Sequence, residues 1–315
     1  MTTDKKLAFV FPGQGSQAVG MVSALAAKYP DAKITFDQAS KILGYDLWEL
    51  VQNGPEQELN ITSKTQPALL AASVSIWNLW RQKAGLEPAI MAGHSLGEYS
   101  ALVCAGVLDF TDATGLVADR GNYMQEAVPQ GTGSMAAILG LDNKQVEDIC
   151  ASAARDQVVS AANYNATGQV VIAGHDEAVK RAVELAKTAG ARKSVLLPVS
   201  VPSHCALMQP AGRKFAARLE GISFHNGRIP VIHNVDVSIK EEPEEMKRAL
   251  VEQLSRPVRW VETIEMMKKQ GISKIVECGP GKVLCGLIKR IDRTIETLPV
   301  FDPESLETAL TISAE

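Results

Sequence analysis

The sequence predicts an α/β protein, in which a large domain with a parallel sheet is interrupted by a small subdomain of βαββαβ order. Two observations carry this prediction. Short apolar runs alternate with helical patterns up to residue 129 and again from residue 200. Between them, about 70 residues contain four short strand patterns and two helical ones. We therefore expect residues 1–129 and 200–315 to form one discontinuous domain, with residues 130–199 inserted into it.

The first part of the chain predicts two buried strands. The apolar run Leu7–Phe11 ends at Pro-Gly and is typical of a strand. A helical pattern covers Ser16–Lys28, and Pro67 is typical of the first turn of a helix that reaches about Lys83. A second buried strand, Ala89–Ala92, leads into another helix. This alternation favours parallel strands with helices on both faces.

The middle segment has the strand and helix order of a ferredoxin-like unit. Its predicted strands and helices, in chain order, are Ser134–Leu139, Lys144–Ala154, Val158–Ala162, Gln169–Ala173, Glu177–Ala189 and Ser194–Val199. A turn is predicted over Asn163–Gly168. Beyond this unit the α/β alternation resumes, with strands at Val231–His233 and Lys274–Glu277 and a helix that begins after Gly279-Pro-Gly281.

Composition excludes several classes of protein. Of the 315 residues, 46% are hydrophobic and 22% are charged, which is typical of a folded protein. A net charge of −4 and only 5% aromatic residues argue against a nucleic-acid binder. The longest apolar stretch, Ala68–Trp80, is shorter than the ~20 residues of a membrane span, and no signal peptide is expected. The number of cysteines is odd and no two of them have CxxC spacing, so we expect reduced thiols and a cytoplasmic location. We also expect no membrane partner.

Gly93–Gly97 fits the pattern G-x-S-x-G between a predicted strand and a predicted helix. The glycines allow a sharp turn that exposes the serine hydroxyl, and the helix N-terminus supplies N–H donors for a developing oxyanion. This pattern predicts an α/β-hydrolase-like large domain with Ser95 as a nucleophile. The simpler alternative is a plain strand-to-helix turn in which the serine caps the helix.

A serine nucleophile needs a base, and the best candidate is His204. Two prolines in Pro198–Pro202 make the chain rigid where it re-enters the large domain just before this histidine. Four other histidines are candidates. His94 is adjacent to the serine and should point away from it, His175 and His225 are expected to be solvated, and His233 ends a predicted strand. A lone histidine is more often structural, and the neighbouring Cys205 is expected to be a buried thiol.

Two glycine-rich segments resemble nucleotide-binding motifs but fail their context. Gly13–Ala18 matches a dinucleotide fingerprint, yet the segment that should be a second strand, Asp31–Leu43, has a helical pattern. Gly279–Lys282 lacks the first glycine and the final Ser/Thr of a phosphate loop. Metal-ligand spacings are also absent from the sequence. We therefore expect no metal and no cofactor.

Five segments together resemble the malonyl-CoA:acyl carrier protein transacylases of fatty acid synthesis. They are spread in order over roughly residues 5 to 300, and they are Phe11–Gln17, Gly93–Glu98, the helix with Arg120, Pro202–His204 and Glu277–Gly281. The resemblance implies a ping-pong transfer of malonyl from malonyl-CoA to the phosphopantetheine thiol of acyl carrier protein.

The resemblance also implies roles for individual residues. Ser95 would be the nucleophile, and His204 its base and later its acid. The other ring nitrogen of that histidine would be oriented by the backbone carbonyl of Gln253. The backbone N–H groups of Gln14 and Leu96 would form the oxyanion hole, with Gly13 and Gly15 letting the loop come close.

Arg120 would bind the free malonyl carboxylate, because a guanidinium can form a charge-assisted, bidentate bond with it. Gln66 would be a further polar neighbour. Without the resemblance, a solvated helix arginine is an equally good interpretation.

The carrier of this family is acidic, so we expect a local basic patch in which Lys289 and Arg290 dock it; a solvated helix face is the alternative there. We expect a monomer.

Two other functions remain open. A serine esterase or thioesterase shares the elbow, but it would prefer an acidic triad member between the serine and the histidine in chain order. A catalytically silent interaction module with this fold would lack the nucleophile, the base or the arginine, and all three residue types are present here.

Overall fold

The computed structural model describes residues 3–129, 131–199 and 201–313. The predicted domain limits at residues 130 and 200, and the chain ends at 1 and 315, lie outside these ranges. Two sheets organise the described residues, a larger parallel sheet and a smaller antiparallel one.

Five parallel strands form the larger sheet. They are β1 (Thr3–Phe11), β2 (Glu87–Gly93), β7 (Val231–Ile232), β8 (Lys274–Cys278) and β9 (Glu296–Val300). Their order is β7-β2-β1-β8-β9. Alternate side chains of β1 enter two different cores: Phe9 packs edge-on against Trp77 and Trp80, whereas Val10 joins the cluster around Trp260. The sheet is therefore buried on both faces, as the alternating pattern predicts.

Helices cover both faces of this sheet. The face of Phe9 is covered by α1 (Ser23–Lys28), α2 (Ala32–Leu43), α3 (Leu47–Asn53), α4 (Glu56–Leu59), α5 (Thr62–Gln82), α6 (Gly97–Ala105), α7 (Phe110–Glu126), α10 (Gln209–Glu220), α11 (Pro243–Gln253) and α14 (Pro303–Ser313). The face of Val10 is covered by α12 (Trp260–Lys269) and α13 (Val283–Ile291).

The smaller sheet has the predicted ferredoxin-like order. Its strands and helices are β3 (Gly133–Leu139), α8 (Asn143–Ala154), β4 (Val159–Ala166), β5 (Gln169–His175), α9 (Asp176–Thr188) and β6 (Lys193–Leu196). The spatial order is β4-β5-β3-β6, with antiparallel pairings, so the first strand of the unit lies between its third and fourth. Helices α8 and α9 cover one face. These observations confirm the predicted fold class.

Three local predictions are wrong. The helix predicted from Ser16 begins at Ser23, because Gly20 and Val22 adopt left-handed φ angles of +85° and +67°. The turn predicted over Asn163–Gly168 is shorter, since β4 continues to Ala166.

The third wrong prediction concerns the start of α5. Pro67 was expected in the first turn of this helix, but the helix begins five residues earlier. Packing stabilises this added turn: α7 approaches so closely that a Cβ on Gly121 would lie 2.5 Å from Ser63 Cα. The contact brings Gln66 of α5 beside Arg120 of α7.

Candidate active site

Ser95 lies in a tight turn between β2 and α6, with a φ of +53° that is uncommon for any residue except glycine. The flanking glycines make this turn possible. A Cβ on Gly93 would lie 1.8 Å from Gly97 C, and a Cβ on Gly97 would lie 2.0 Å from Phe11 O. The serine does not cap the helix, since the N-cap residue is Leu96. The turn is thus a strained elbow, and the simple capping interpretation is wrong.

The structure brings Ser95 and His204 together across 109 residues of sequence. Ser95 Oγ lies 2.7 Å from His204 Nε2, and His204 Nδ1 lies 2.7 Å from the carbonyl oxygen of Gln253. Because a carbonyl oxygen only accepts, Nδ1 carries the proton and Nε2 is free to accept one from the serine. The pair has the geometry of a nucleophile and its base.

The electrostatic surroundings keep His204 neutral. Its side chain is buried, and the guanidinium of Arg120 lies nearby. Burial first, and this positive charge second, lower the pKa of His204 from 6.5 to about 3. The imidazole is therefore in the basic form throughout the neutral range.

Arg120 is buried in the same site, with 1% of its surface exposed, so the interpretation as a solvated helix arginine is wrong. Nη1 donates to Gln66 Oε1 at 2.8 Å, and Nη2 donates to Gln253 Oε1 at 2.9 Å and approaches Ser95 Oγ at 3.4 Å. In the described ranges these acceptors are all neutral, and no carboxylate forms an ion pair with this arginine. A buried charge without a counter-ion is costly, which indicates an anionic ligand.

Two backbone N–H groups at the site are free to bind a ligand. Gln14 and Leu96 both line the cleft, and neither backbone N–H donates to another residue in the described part of the chain. The Gln14 loop comes very close to the elbow, because a Cβ on Gly13 would lie 2.4 Å from His94 O. The glycine at that position permits this approach.

These groups open into a cleft of about 540 Å³ between the two sheets. Ser95, Arg120 and Gln14 line it from the larger sheet and its helices. Met135 and Val171 line it from the face of the smaller sheet that α8 and α9 leave open. The cleft lies at the carboxyl ends of β1 and β2, where parallel sheets usually bind ligands.

Comparison with known proteins identifies the family. The model of the acyl transferase domain matches residues 8–299. This chain belongs to the acyl transferase family. It is 55% identical over 305 residues to the malonyl CoA-acyl carrier protein transacylase of Escherichia coli strain K12, covering 97% of this chain and 99% of that protein.

Two solved structures extend the comparison. An acyl carrier protein S-malonyltransferase from Vibrio cholerae is 57% identical, with a TM-score of 0.94 over 96% of this chain and 99% of that one. A malonyl-transacylase in complex with its type II PKS acyl-carrier protein is 56% identical, with a TM-score of 0.97 over 98% and 99% of the two chains. The acyl transferase fold thus covers nearly all of this chain.

The structure places the predicted carrier-binding residues away from the cleft. Lys289 and Arg290 are exposed at the last turn of α13 and do not line the cleft. Arg290 donates to Gln169 at the start of β5, so it lies where the two sheets meet. Their role in binding the carrier stays a prediction.

The remaining histidines do not contact the serine hydroxyl. His94 pairs with Asn165 at 2.7 Å, and His225 is exposed, as predicted. His175 is half-buried and its Nδ1 accepts the backbone N–H of Val158, so the prediction of a solvated side chain there is wrong. Cys205 is buried, as predicted.

Three residues beneath the elbow, Glu98, His233 and Asn234, have no structural role assigned from the sequence, although His233 was one of the histidines considered as the base. Asn234 Oδ1 accepts the Ser95 N–H at 2.7 Å, and its Nδ2 donates to Gly93 O at 2.7 Å. The sequence contains a signal for Asn234, because this residue follows strand β7 and the carboxyl ends of neighbouring parallel strands meet at one edge of a sheet. Glu98 is the sixth residue of the elbow segment itself.

Within the described ranges, no three or more His, Cys, Asp or Glu side chains are grouped as metal ligands. In the same ranges, no helix is long and apolar enough to cross a membrane.

Proposed function

We propose that this protein transfers malonyl from malonyl-CoA to the phosphopantetheine thiol of an acyl carrier protein. In the first half-reaction Ser95 Oγ attacks the thioester carbonyl while His204 takes its proton. The carbon–sulfur bond then breaks, and CoA leaves as a thiol with the proton from His204. In the second, the carrier thiol gives its proton to His204 and attacks the serine ester. The carbon–oxygen bond to Ser95 then breaks, and Ser95 Oγ takes the proton back from His204. The relatives named as transacylases support this activity.

The observation that carries the proposal is the position of Arg120. Its guanidinium is buried 3.4 Å from the serine hydroxyl, and its protein partners are neutral amide oxygens. An acyl group that ends in a carboxylate would supply the missing counter-ion, and acetyl would not. Malonyl fits this requirement.

The backbone N–H groups of Gln14 and Leu96 would bind the oxyanion of each tetrahedral intermediate. The carbonyl of Gln253 would hold His204 in the basic tautomer, which makes an acidic third member unnecessary. The first half-reaction converts a thioester into an ester and the second converts the ester back into a thioester, both without redox change. We therefore propose that the protein groups named above suffice and that no cofactor takes part.

The organisation of the molecule follows the same proposal. Residues 1–129 and 200–315 would form the acyltransferase domain, with 130–199 as the subdomain that closes the cleft. The carrier would bind transiently to a basic patch that includes Lys289 and Arg290. We propose a cytoplasmic monomer.

Steady-state kinetics with malonyl-CoA and a phosphopantetheinylated carrier tests the transfer. A ping-pong mechanism predicts parallel double-reciprocal lines when both substrates are varied. Intersecting lines, or malonyl transfer that persists in Ser95→Ala, would contradict the covalent intermediate.

A further inference from the structure

Glu98 is a buried carboxylate on which donors from two separate segments of the site converge. Its side chain is fully buried in the first turn of α6. Oε1 accepts from His233 Nδ1 at 2.7 Å, while Oε2 accepts from the backbone N–H of Asn234 at 3.0 Å and from Gln253 Nε2 at 2.8 Å. These donors lie 135 or more residues away in sequence.

The residues that Glu98 holds are the ones that hold the elbow. The amide of Ser95, strained at φ +53°, has both of its polar groups bound by side chains. Its N–H donates to Asn234 Oδ1 at 2.7 Å, and its carbonyl accepts from Gln253 Nε2 at 3.0 Å. A strained backbone persists only where its surroundings hold it. Glu98 anchors both of the residues that do so.

The same carboxylate determines which way the Gln253 amide faces. An amide group has a donor end and an acceptor end. Since Nε2 donates to Glu98 and to the carbonyl of Ser95, Oε1 must face the other way, where it accepts from Arg120 Nη2 at 2.9 Å. A reversed amide would aim N–H donors at the guanidinium and would lose the contact with Glu98.

We infer that Glu98 is the positioning residue that couples the malonyl-binding arginine to the serine elbow. It acts through Gln253, whose acceptor end fixes Nη2 of Arg120 beside Ser95 Oγ. The inference rests on the proposed function, because it assumes that the arginine binds the acyl carboxylate. Glu98 touches neither the substrate nor the reacting atoms, yet it controls acyl selectivity.

The test compares Glu98→Met with Glu98→Gln. Methionine keeps the length of the side chain and removes its oxygens, whereas glutamine keeps one acceptor oxygen for Asn234 and Gln253 and can offer its NH₂ to the other histidine tautomer. The measured quantity is the ratio of kcat/KM for malonyl-CoA to that for acetyl-CoA. We expect the ratio to fall roughly tenfold in Glu98→Met, the size of one hydrogen bond to a charged group, and to stay within about threefold of wild type in Glu98→Gln. A Glu98→Met protein that loses rate equally with both substrates would overturn the inference.

If Glu98→Met does not fold, Gln253→Met tests the same link. That variant keeps the backbone carbonyl that holds His204 and removes the amide that faces Arg120. We expect its malonyl preference to fall roughly tenfold, again one hydrogen bond to a charged group; an unchanged ratio would overturn the inference. Arg120→Ala is measured in parallel. If Arg120→Ala keeps the malonyl preference, the proposed function fails; if it loses the preference while the variants at 98 and 253 keep it, the inference about Glu98 alone fails.

Discussion

The proposed chemistry depends on a positive charge that the described residues leave without a carboxylate ion pair. Arg120 is held by Gln66 and Gln253, which fix its position but leave its charge uncompensated. The same charge helps to keep His204 in its neutral form. In the proposed function, Arg120 would thus bind the anionic acyl group and also help to keep the base neutral.

Replacing Arg120 with alanine should change selectivity more than it changes catalysis. A charge-assisted hydrogen bond contributes about 1.5–3 kcal/mol, so the preference for malonyl over acetyl should fall by roughly 10- to 150-fold. The ratio of kcat/KM for the two CoA esters measures this. The control is Arg213→Ala, which removes an exposed arginine from α10. Unchanged selectivity in Arg120→Ala would refute its role.

The pH dependence of serine acylation should reflect the unusual histidine. Because burial and Arg120 lower the pKa of His204 to about 3, kcat/KM for malonyl-CoA should stay constant as the pH falls from about 8 to about 5. Arg120→Gln removes the neighbouring charge, so the acid limb should move upward while remaining below 6.5.

The lowered pKa of His204 makes the fold less stable as the pH falls, whereas a histidine whose pKa is raised by a partner would make it more stable. Between pH 3 and 6.5 the unfolded chain binds more protons at this position than the folded one, so this histidine destabilises the fold progressively as the pH falls.

A wild-type acylation rate that declines with a midpoint near 6.5 would contradict the lowered pKa.

The sequence predicts best those elements whose defining residues lie close together in the chain. Strands β1 and β2 and the elbow between β2 and α6 follow from apolar runs and glycines close together in sequence. No element is predicted for α3, α4 and β9, which have only seven, four and five residues. The same is true of α14, although it has 11 residues. Strand β9 contains Pro299, which sequence reasoning treats as a strand breaker, although at an edge its missing N–H is tolerated.

The site itself was predictable only in part, for the same physical reason. Ser95 and the glycines around it are a local motif, and the resemblance supplied His204, Arg120 and Gln253. Nothing local indicates that Glu98 and Asn234 meet, because 136 residues separate them. Such contacts depend on strand order, which a single sequence does not determine.

The elbow glycines should tolerate no side chain. In Gly93→Ala the new Cβ would lie within 1.8 Å of a backbone carbon that cannot move freely, so we expect loss of the folded protein or a large drop in Tm. The control is Gly286→Ala on α13, where nothing lies within 4 Å of the added carbon. That change should raise the free energy of unfolding by about 0.4–1 kcal/mol. Thermal denaturation of both variants measures the difference; a Gly93→Ala protein as stable as wild type would contradict the steric account.

At the scale of the whole molecule, the two sheets together enclose the reaction. The larger sheet and its helices carry Ser95 and Arg120, the proposed nucleophile and carboxylate-binding residue, and the smaller sheet supplies the opposite wall of the cleft. The carrier must deliver its thiol into this cleft from outside. Long-range charge can guide such an encounter even in a chain with a net charge of −4, since local patches determine the field near the surface.

Reversing the charges of Lys289 and Arg290 to glutamate should raise the KM for an acidic carrier and leave serine acylation by malonyl-CoA unchanged. Charge reversal at an interface mainly slows association, so the effect should shrink at high salt. The control is Lys41→Glu with Arg213→Glu, an equal change of charge at other exposed positions. An unaffected carrier KM would exclude this surface as the docking site.

In the proposed mechanism, Ser95 carries a malonyl group between two thiols. Intact-mass spectrometry after mixing the protein with malonyl-CoA tests it directly. We expect a stable mass increase of one malonyl group that is absent in Ser95→Ala and disappears when phosphopantetheinylated carrier is added, with the same increase appearing on the carrier. Release of CoA and free malonate without an adduct or a loaded carrier would contradict the account and indicate a hydrolase.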